Sequence, residues 1–302
     1  MMDESKLIFI ISQPRSGSTL LQKLISNNNL VDTVSEPWLL LPLLGMFQPG
    51  LINAKYNYPV ALKGFFDYLQ KKNVEGEFKE ELKKLILNLY KVSDSSHFFV
   101  DKTPRYYEII PQMMEMFPAA KFLVLKRNPF ASLHSMLSTW SGGKVDYQMF
   151  STFYRDFLVA PFNIQDFCKK NTDNPNVLEV KYEDIVSQPE IAVKNIYQWL
   201  TIPFDMNVLK LEGNEKVKGI FGDDVYKKEP LSEIKSALSD SWRSSLSNKE
   251  VVNFYSDYQD YLSPGFIREY GYDTEEFKNG SSLFKKNTFT EYIESLKKAN
   301  QI

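Results

Sequence analysis

Leu7-Ile8-Phe9-Ile10-Ile11-Ser12-Gln13-Pro14-Arg15-Ser16-Gly17-Ser18-Thr19-Leu20-Leu21 is the stretch on which the reading of the fold turns. Five apolar residues in unbroken succession suit a strand buried on both faces, as in a parallel sheet covered by helices. The polar residues Ser12 to Gly17 then make a loop, and Leu20, Leu21, Leu24 and Ile25 recur on one face of a helix. A loop joining a buried strand to a helix is a place where backbone N–H groups and the helix dipole hold an anion. Gly17 permits close backbone approach, Ser18 and Thr19 add hydroxyl donors, and Arg15 adds a permanent planar cation.

The same strand–loop–helix unit recurs along the chain. His97-Phe98-Phe99-Val100 ends in Asp101-Lys102-Thr103-Pro104, and a helix is predicted from Tyr106 to Met116. Lys121-Phe122-Leu123-Val124-Leu125 ends in Lys126-Arg127-Asn128-Pro129, with Pro129 suited to the first turn of a helix. Val177-Leu178-Glu179-Val180 leads through Lys181-Tyr182-Glu183-Asp184 to a helix carrying Ile191, Val193, Ile196, Trp199 and Leu200. This repetition predicts a P-loop-type, three-layer α/β/α fold around a mostly parallel sheet, with residues 1–302 as a single domain. Residues 39–95 read as a helical insertion between the first helix and the second strand, and about 280–302 as a peripheral segment. Ligands of such sheets bind beyond the carboxyl ends of the strands, which is where the polar clusters fall.

Composition sets the outer bounds. With 302 residues, 43% hydrophobic and 25% charged, the chain lies in the ordinary globular range. The charge sum is 36 − 38 = −2, which excludes a globally basic nucleic-acid binder and leaves room for a local basic cleft. The single cysteine, Cys168, excludes an intramolecular disulfide and a cysteine-rich zinc site, and two histidines argue against a His-based metal centre. Met1 to Lys6 lacks the basic region and small-residue cleavage site of a signal peptide. The longest apolar run, Trp38 to Phe47, is about half a membrane span and is broken by Pro42 and Gly45. A cytoplasmic protein without a transmembrane segment is expected; oligomeric state is not encoded in any visible pattern.

The loop is not a Walker A sequence, because no lysine follows the glycine, and the G-x-G-x-x-G dinucleotide signature is absent. Asp101, at a strand end, could serve as a magnesium carboxylate, so a kinase using ATP and magnesium stays open. So does a nucleotide-binding module without chemistry.

Pro14-Arg15-Ser16-Gly17-Ser18-Thr19-Leu20 resembles the 5′-phosphosulfate loop of sulfotransferases that use PAPS (3′-phosphoadenosine 5′-phosphosulfate). Lys126 to Ser135 resembles the 3′-phosphate-binding segment of that family, with Arg127 and Ser135 eight residues apart. An arginine at a strand end can give two charge-assisted hydrogen bonds, and a helical serine two turns on can reach around the anion. Lys102-Thr103-Pro104-Arg105, Phe117 to Phe122, and Val180 to Pro189 follow in the family's order. The likeness spans roughly Leu7 to Leu200, with Ser241-Trp242-Arg243 a weaker echo. The R-K-G loop of the cytosolic small-molecule enzymes is missing, with Lys227-Lys228 or Lys235 as substitutes, so the chain looks closer to the tyrosylprotein-like and bacterial branch.

That resemblance implies PAPS as donor co-substrate, PAP as product, and no required metal. It implies nucleotide binding by Arg15, Ser16, Gly17, Ser18, Thr19, Leu20, Arg127, Ser135 and Tyr182, and transition-state stabilisation by Arg15 and Lys102. Glu36, in Ser35-Glu36-Pro37-Trp38-Leu39, stands where the tyrosylprotein-like enzymes carry their catalytic glutamate, and is the expected general base. His134 and His97 are weaker candidates; at Glu36 itself a helix-start cap is the competing role. The expected reaction moves a sulfuryl group to a hydroxyl of a glycan or small molecule, a peptide tyrosine being disfavoured without secretory targeting. Aromatics after Trp38 (Phe47, Tyr56, Tyr58, Phe65, Phe66, Tyr68) and after the second anchor (Trp140, Tyr147, Phe150, Phe153, Tyr154, Phe157) suit an acceptor cleft or a core alike.

Overall fold

In the computed structural model the apolar run becomes strand β1, Leu7–Ser12, with all six residues buried. The structure describes residues 1–48, 50–92, 96–211, 240–275 and 288–299, with the single positions 217, 234, 277 and 302. Beside β1 lie β2 (Val31–Thr33), β3 (Phe98–Asp101), β4 (Lys121–Lys126) and β5 (Val177–Lys181), in the order β2-β3-β1-β4-β5. Every pairing is parallel, with Phe9 opposite Asp101 on one side and Phe122 on the other.

Alternation along the central strands divides the interior into two layers of core. Leu7, Phe9 and Ile11 join Phe99, Phe122 and Val124 in one cluster, with Tyr90, Tyr106, Tyr107 and Ile164. Ile8 and Ile10 join Val100, Leu123 and Leu125 in the other, under helix α1 (Ser18–Ser26) and the helix Pro189–Leu200. Burying a Leu, Ile or Phe side chain contributes about 1.5–3 kcal/mol, so both faces of the sheet hold the fold together. A charge at Ile10, which is wholly buried, would break this arrangement. A third apolar cluster gathers Phe130, Phe150, Phe157, Trp242, Tyr255 and Phe289, away from the sheet.

Two expectations are corrected. The strand beginning near His97 is third in the chain, because β2 comes before it; Val31-Asp32-Thr33 is a short edge strand with no apolar run to betray it. The expected helix over Tyr106 to Met116 is a 3₁₀ turn, Tyr106–Glu108, then a helix, Ile110–Met116. Pro111 lies in the first turn of that helix, where the ring needs no N–H donor. Helices at Leu40–Leu44, Tyr58–Lys72 and Glu75–Leu89 occupy much of residues 39–95, and a helix over Thr288–Lys298 lies within the C-terminal segment. Among the described residues no helix is long and apolar enough to cross a membrane.

Because the sheet is parallel, the residues after β1, β2, β3, β4 and β5 all emerge at one edge. The chain leaves β1 to build one side of the sheet and crosses back to build the other. β1 therefore marks the switch in strand order where α/β folds open a crevice.

Candidate active site

The loop after β1 is shaped by two residues in the left-handed region, Arg15 at φ 66° and Gly17 at φ 92°. For Arg15 that conformation costs on the order of 1–3 kcal/mol, which its surroundings must offset. Among those surroundings, two contacts tie the loop to the second segment. Arg15 Nε donates to Ser135 Oγ at 3.2 Å, and Arg127 Nη1 donates to the Arg15 carbonyl at 3.0 Å. The two anion-binding segments read from the sequence are thus bonded directly to each other. Gly17 caps α1, and a Cβ there would lie 2.3 Å from the Tyr182 ring, so only glycine fits. The Arg127 guanidinium sits 4.4 Å from the centre of that same ring. Such a stack is worth about 0.5–2 kcal/mol and fixes the guanidinium plane.

Ser16 is fully buried and turned inward, donating to the Gln13 carbonyl, so its hydroxyl builds the loop. Gln13 in turn donates to the Asp156 carbonyl at 2.9 Å, tying the loop to the helix Tyr154–Leu158. Ser18, Thr19 and Leu20 form the first turn of α1, with Leu20 buried in the core. Ser135 lies on helix α2 (Pro129–Trp140), which Asn128 caps by accepting from the Phe130 and Ala131 amides.

On the other flank of β1, Lys102 follows β3 and Glu36 follows β2. Lys102 Nζ lies 2.6 Å from Glu36 Oε1, the side chains only 2% and 10% exposed. Sequence reasoning placed both in the site with Lys102 near Glu36, and the structure joins them in a direct ion pair. Trp38, two residues on, has φ 52°, so the backbone bends sharply just after the carboxylate.

Asp101 does not face this site as a metal ligand. Its Oδ2 accepts from the Tyr90 and Tyr106 hydroxyls at 2.7 and 2.8 Å, and its Oδ1 from Thr103 at 3.1 Å. Burial pushes its carboxyl up to about 6, against the pull of those hydroxyls and Lys102. His134 is half-buried on α2, and burial with the Arg127 charge pushes it below its ordinary value. His97 precedes β3 and so lies at the far edge of the sheet. Phe150, Phe153 and Phe157 are packed in the third core cluster, so these aromatics do not serve as cleft walls. Trp242 stacks on Phe130, and Arg243 binds Glu275 through Nη1 and Nη2, which makes the Ser241-Trp242-Arg243 echo structural. Lys227, Lys228 and Lys235 lie outside the described residues.

Sequence reading missed Gln22. Its side-chain amide donates to Thr33 Oγ1 and to the Val34 carbonyl, both at 2.7 Å, holding the backbone that enters Glu36. The available signal was a glutamine among Leu20, Leu21, Leu24 and Ile25 on the buried face of α1. It also missed the bracing of Arg105 and Tyr107 on buried Asp156, beneath the Gln13 loop.

A surface cavity of about 590 Å³ opens elsewhere, lined by Met1, Asp3, Lys6, Leu87, Lys91 and His97 among others. It sits at the amino-terminal edge of the strands, the wrong end for the chemistry of such sheets.

A family model described as the sulfotransferase family matches residues 8–206. The chain is 28% identical over 139 residues to nodulation protein NoeE of Sinorhizobium fredii, covering 44% of this chain and 32% of that protein. It is 27% identical over 211 residues to protein-tyrosine sulfotransferase 1 of Danio rerio, covering 68% and 56% respectively. The chain thus matches between about a third and just over half of the length of these curated relatives. Among solved structures, the sulfotransferase domain of the Synechococcus PCC 7002 olefin synthase superposes with a TM-score of 0.50 at 22% identity. That likeness covers 79% of this chain and 87% of the other and is one of fold.

Proposed function

The chain belongs to the sulfotransferase family, and from that membership we propose that it moves a sulfuryl group from PAPS to a hydroxyl of a glycan or small molecule. The observation that carries the reading is the joining of Arg15 to Ser135 and Arg127, which unites two anion-binding segments 112 to 120 residues apart. The donor set suits a nucleotide phosphorylated at two positions: two guanidinium groups, the hydroxyls of Ser18, Thr19 and Ser135, and the amides opening α1. Tyr182 shapes the site by packing against Gly17 and Arg127.

In the proposed reaction the acceptor oxygen attacks sulfur in line with the bond to the 5′-phosphate. That bond breaks, PAP leaves with the electron pair, and the acceptor proton passes to Glu36. Arg15 and Lys102 stabilise the charge that builds on the sulfuryl and leaving oxygens. An ammonium has three protons, so Lys102 can face Glu36 and the sulfuryl group together. Fixed cations take the place of a divalent metal in this scheme, and the Asp101 carboxylate that a kinase would use is occupied by three hydroxyls.

Calorimetric titration of the metal-free protein with PAP, run beside ATP with and without magnesium, tests the proposal. Tight PAP binding without metal, followed by PAPS-dependent sulfation in a panel of sugars and phenols, is expected. Magnesium-dependent ATP binding with no PAP binding would overturn it.

A further inference from the structure

Asp101 is a costly residue to place where it is. A buried carboxylate loses its hydration, and a neutral side chain in the same place would avoid that penalty. What a carboxylate alone offers is acceptance without donation. Three hydroxyls converge on it, and each must therefore point its proton inward. For two of them the consequence reaches the site. With its proton committed, Thr103 Oγ1 presents a lone pair that accepts the Trp38 amide at 3.3 Å. In the same way Tyr106 accepts the Leu40 amide at 3.2 Å. Trp38 and Leu40 lie directly after Glu36, across the left-handed turn at Trp38. The third hydroxyl, from Tyr90, binds the same carboxylate oxygen as Tyr106, and among the described residues it makes no bond to this segment.

We propose that Asp101 is a positioning residue, which holds the Glu36 segment against Lys102 by fixing the hydroxyls of Thr103 and Tyr106. The assignment rests on Glu36 as the proton acceptor proposed above. Gln22 secures the entering side of the segment and the Asp101 relay secures the leaving side. Lys102 follows Asp101 directly, so one strand end sets both members of the pair. A displacement of about 1 Å at a reacting group can lower a rate by on the order of 10².

The three hydroxyls provide their own control. Tyr90→Phe and Tyr106→Phe each remove one hydroxyl from Asp101, but only the second also releases Leu40. Amide hydrogen exchange at Trp38 and Leu40 would be followed in both variants and in Thr103→Val, with urea midpoints to compare stability. Sulfation of 4-nitrophenol by PAPS would be measured in parallel. Tyr106→Phe and Thr103→Val are expected to speed exchange at Leu40 and Trp38 respectively and to lower kcat about 10- to 100-fold, with KM for PAPS within about twofold. Thr103→Ser should restore both, and Tyr90→Phe should leave both near the parent. Equal effects from Tyr90→Phe and Tyr106→Phe, or parent-like exchange in Tyr106→Phe and Thr103→Val, would overturn the assignment. No turnover in the parent would count against the transfer reaction, while the exchange pattern would still decide the relay.

Discussion

On the β4 side of β1, Arg15 and Arg127 bring two guanidinium groups to one strand end, tied together by a carbonyl and a serine hydroxyl. On the β3 side the cation Lys102 is already matched by Glu36 at 2.6 Å, and the segment around that pair is pinned by neutral hydrogen bonds. The first flank gathers positive charge and suits an anion; the second is balanced within itself and suits the movement of a proton. In the proposed reaction the base lies on one side of a single strand and most of the nucleotide contacts on the other, with Arg15 serving both binding and charge stabilisation. A change at Glu36 should leave nucleotide affinity alone, and a change at Arg127 should leave the chemical step alone.

The sharpest way to break this comparison is Glu36→Gln. Turnover should fall about 10²- to 10⁴-fold, the usual contribution of a positioned base, while calorimetric PAP affinity stays within about twofold. A large loss of PAP binding would mean the flanks are not separable.

Asp101 tests the second flank through pH. Its carboxyl, ordinarily near 3.8, is pushed up to about 6 by burial, so between those values the folded state holds the proton more firmly than the unfolded chain. Stability from this group therefore falls as pH rises from about 4 to 6, by at most about 3 kcal/mol at about 1.4 kcal/mol per pH unit. Urea midpoints measured across that window should show the slope in the parent and a flatter difference curve in Asp101→Asn.

Arg127→Ala probes the first flank. Removing charge-assisted contacts worth about 1.5–3 kcal/mol should weaken PAP binding about 10- to 150-fold. Once PAPS concentrations are raised to saturate the variant, the chemical step should change much less; a variant with parent PAP affinity would remove Arg127 from the anion site.

The smallest effect is expected from Arg243→Ala. Its pair with Glu275 is half-exposed, and such pairs contribute about 0–1 kcal/mol. A shift in urea midpoint alone, with PAP affinity unchanged, would confirm that the Ser241-Trp242-Arg243 segment belongs to neither flank.

How much of this was legible depends on how each element is buried. Strands β1 and β4 sit inside the sheet, covered on both faces, and leave continuous apolar runs that can be read without context. Strand β2 lies at the edge, three residues long with Asp32 in the middle, and nothing local distinguishes it from a loop. Its absence from the reading moved Glu36 from a strand end, where it belongs, into the approach to an insertion. Asp101 was recognised as a carboxylate at a strand end, but its direction was not. It shares the parity of Phe99, so alternation turns it into the core with Tyr90 and Tyr106.

Local patterning was enough for the strand–loop–helix repeat, the loop from Gln13 to Gly17 and the presence of Arg127 and Ser135 at matching strand-end and helix positions. These are local: a buried strand needs an apolar run, and a helix needs its apolar face, whatever surrounds them. Which groups meet was settled by the folding of the whole chain. Arg15 reaches Ser135, Lys102 reaches Glu36, and Asp101 reaches Trp38 and Leu40 through two hydroxyls. Each of those meetings depends on strand order. Parallel pairing of β2 with β3 and of β1 with β4 brings distant segments to one edge, and no pattern within a segment records its neighbour.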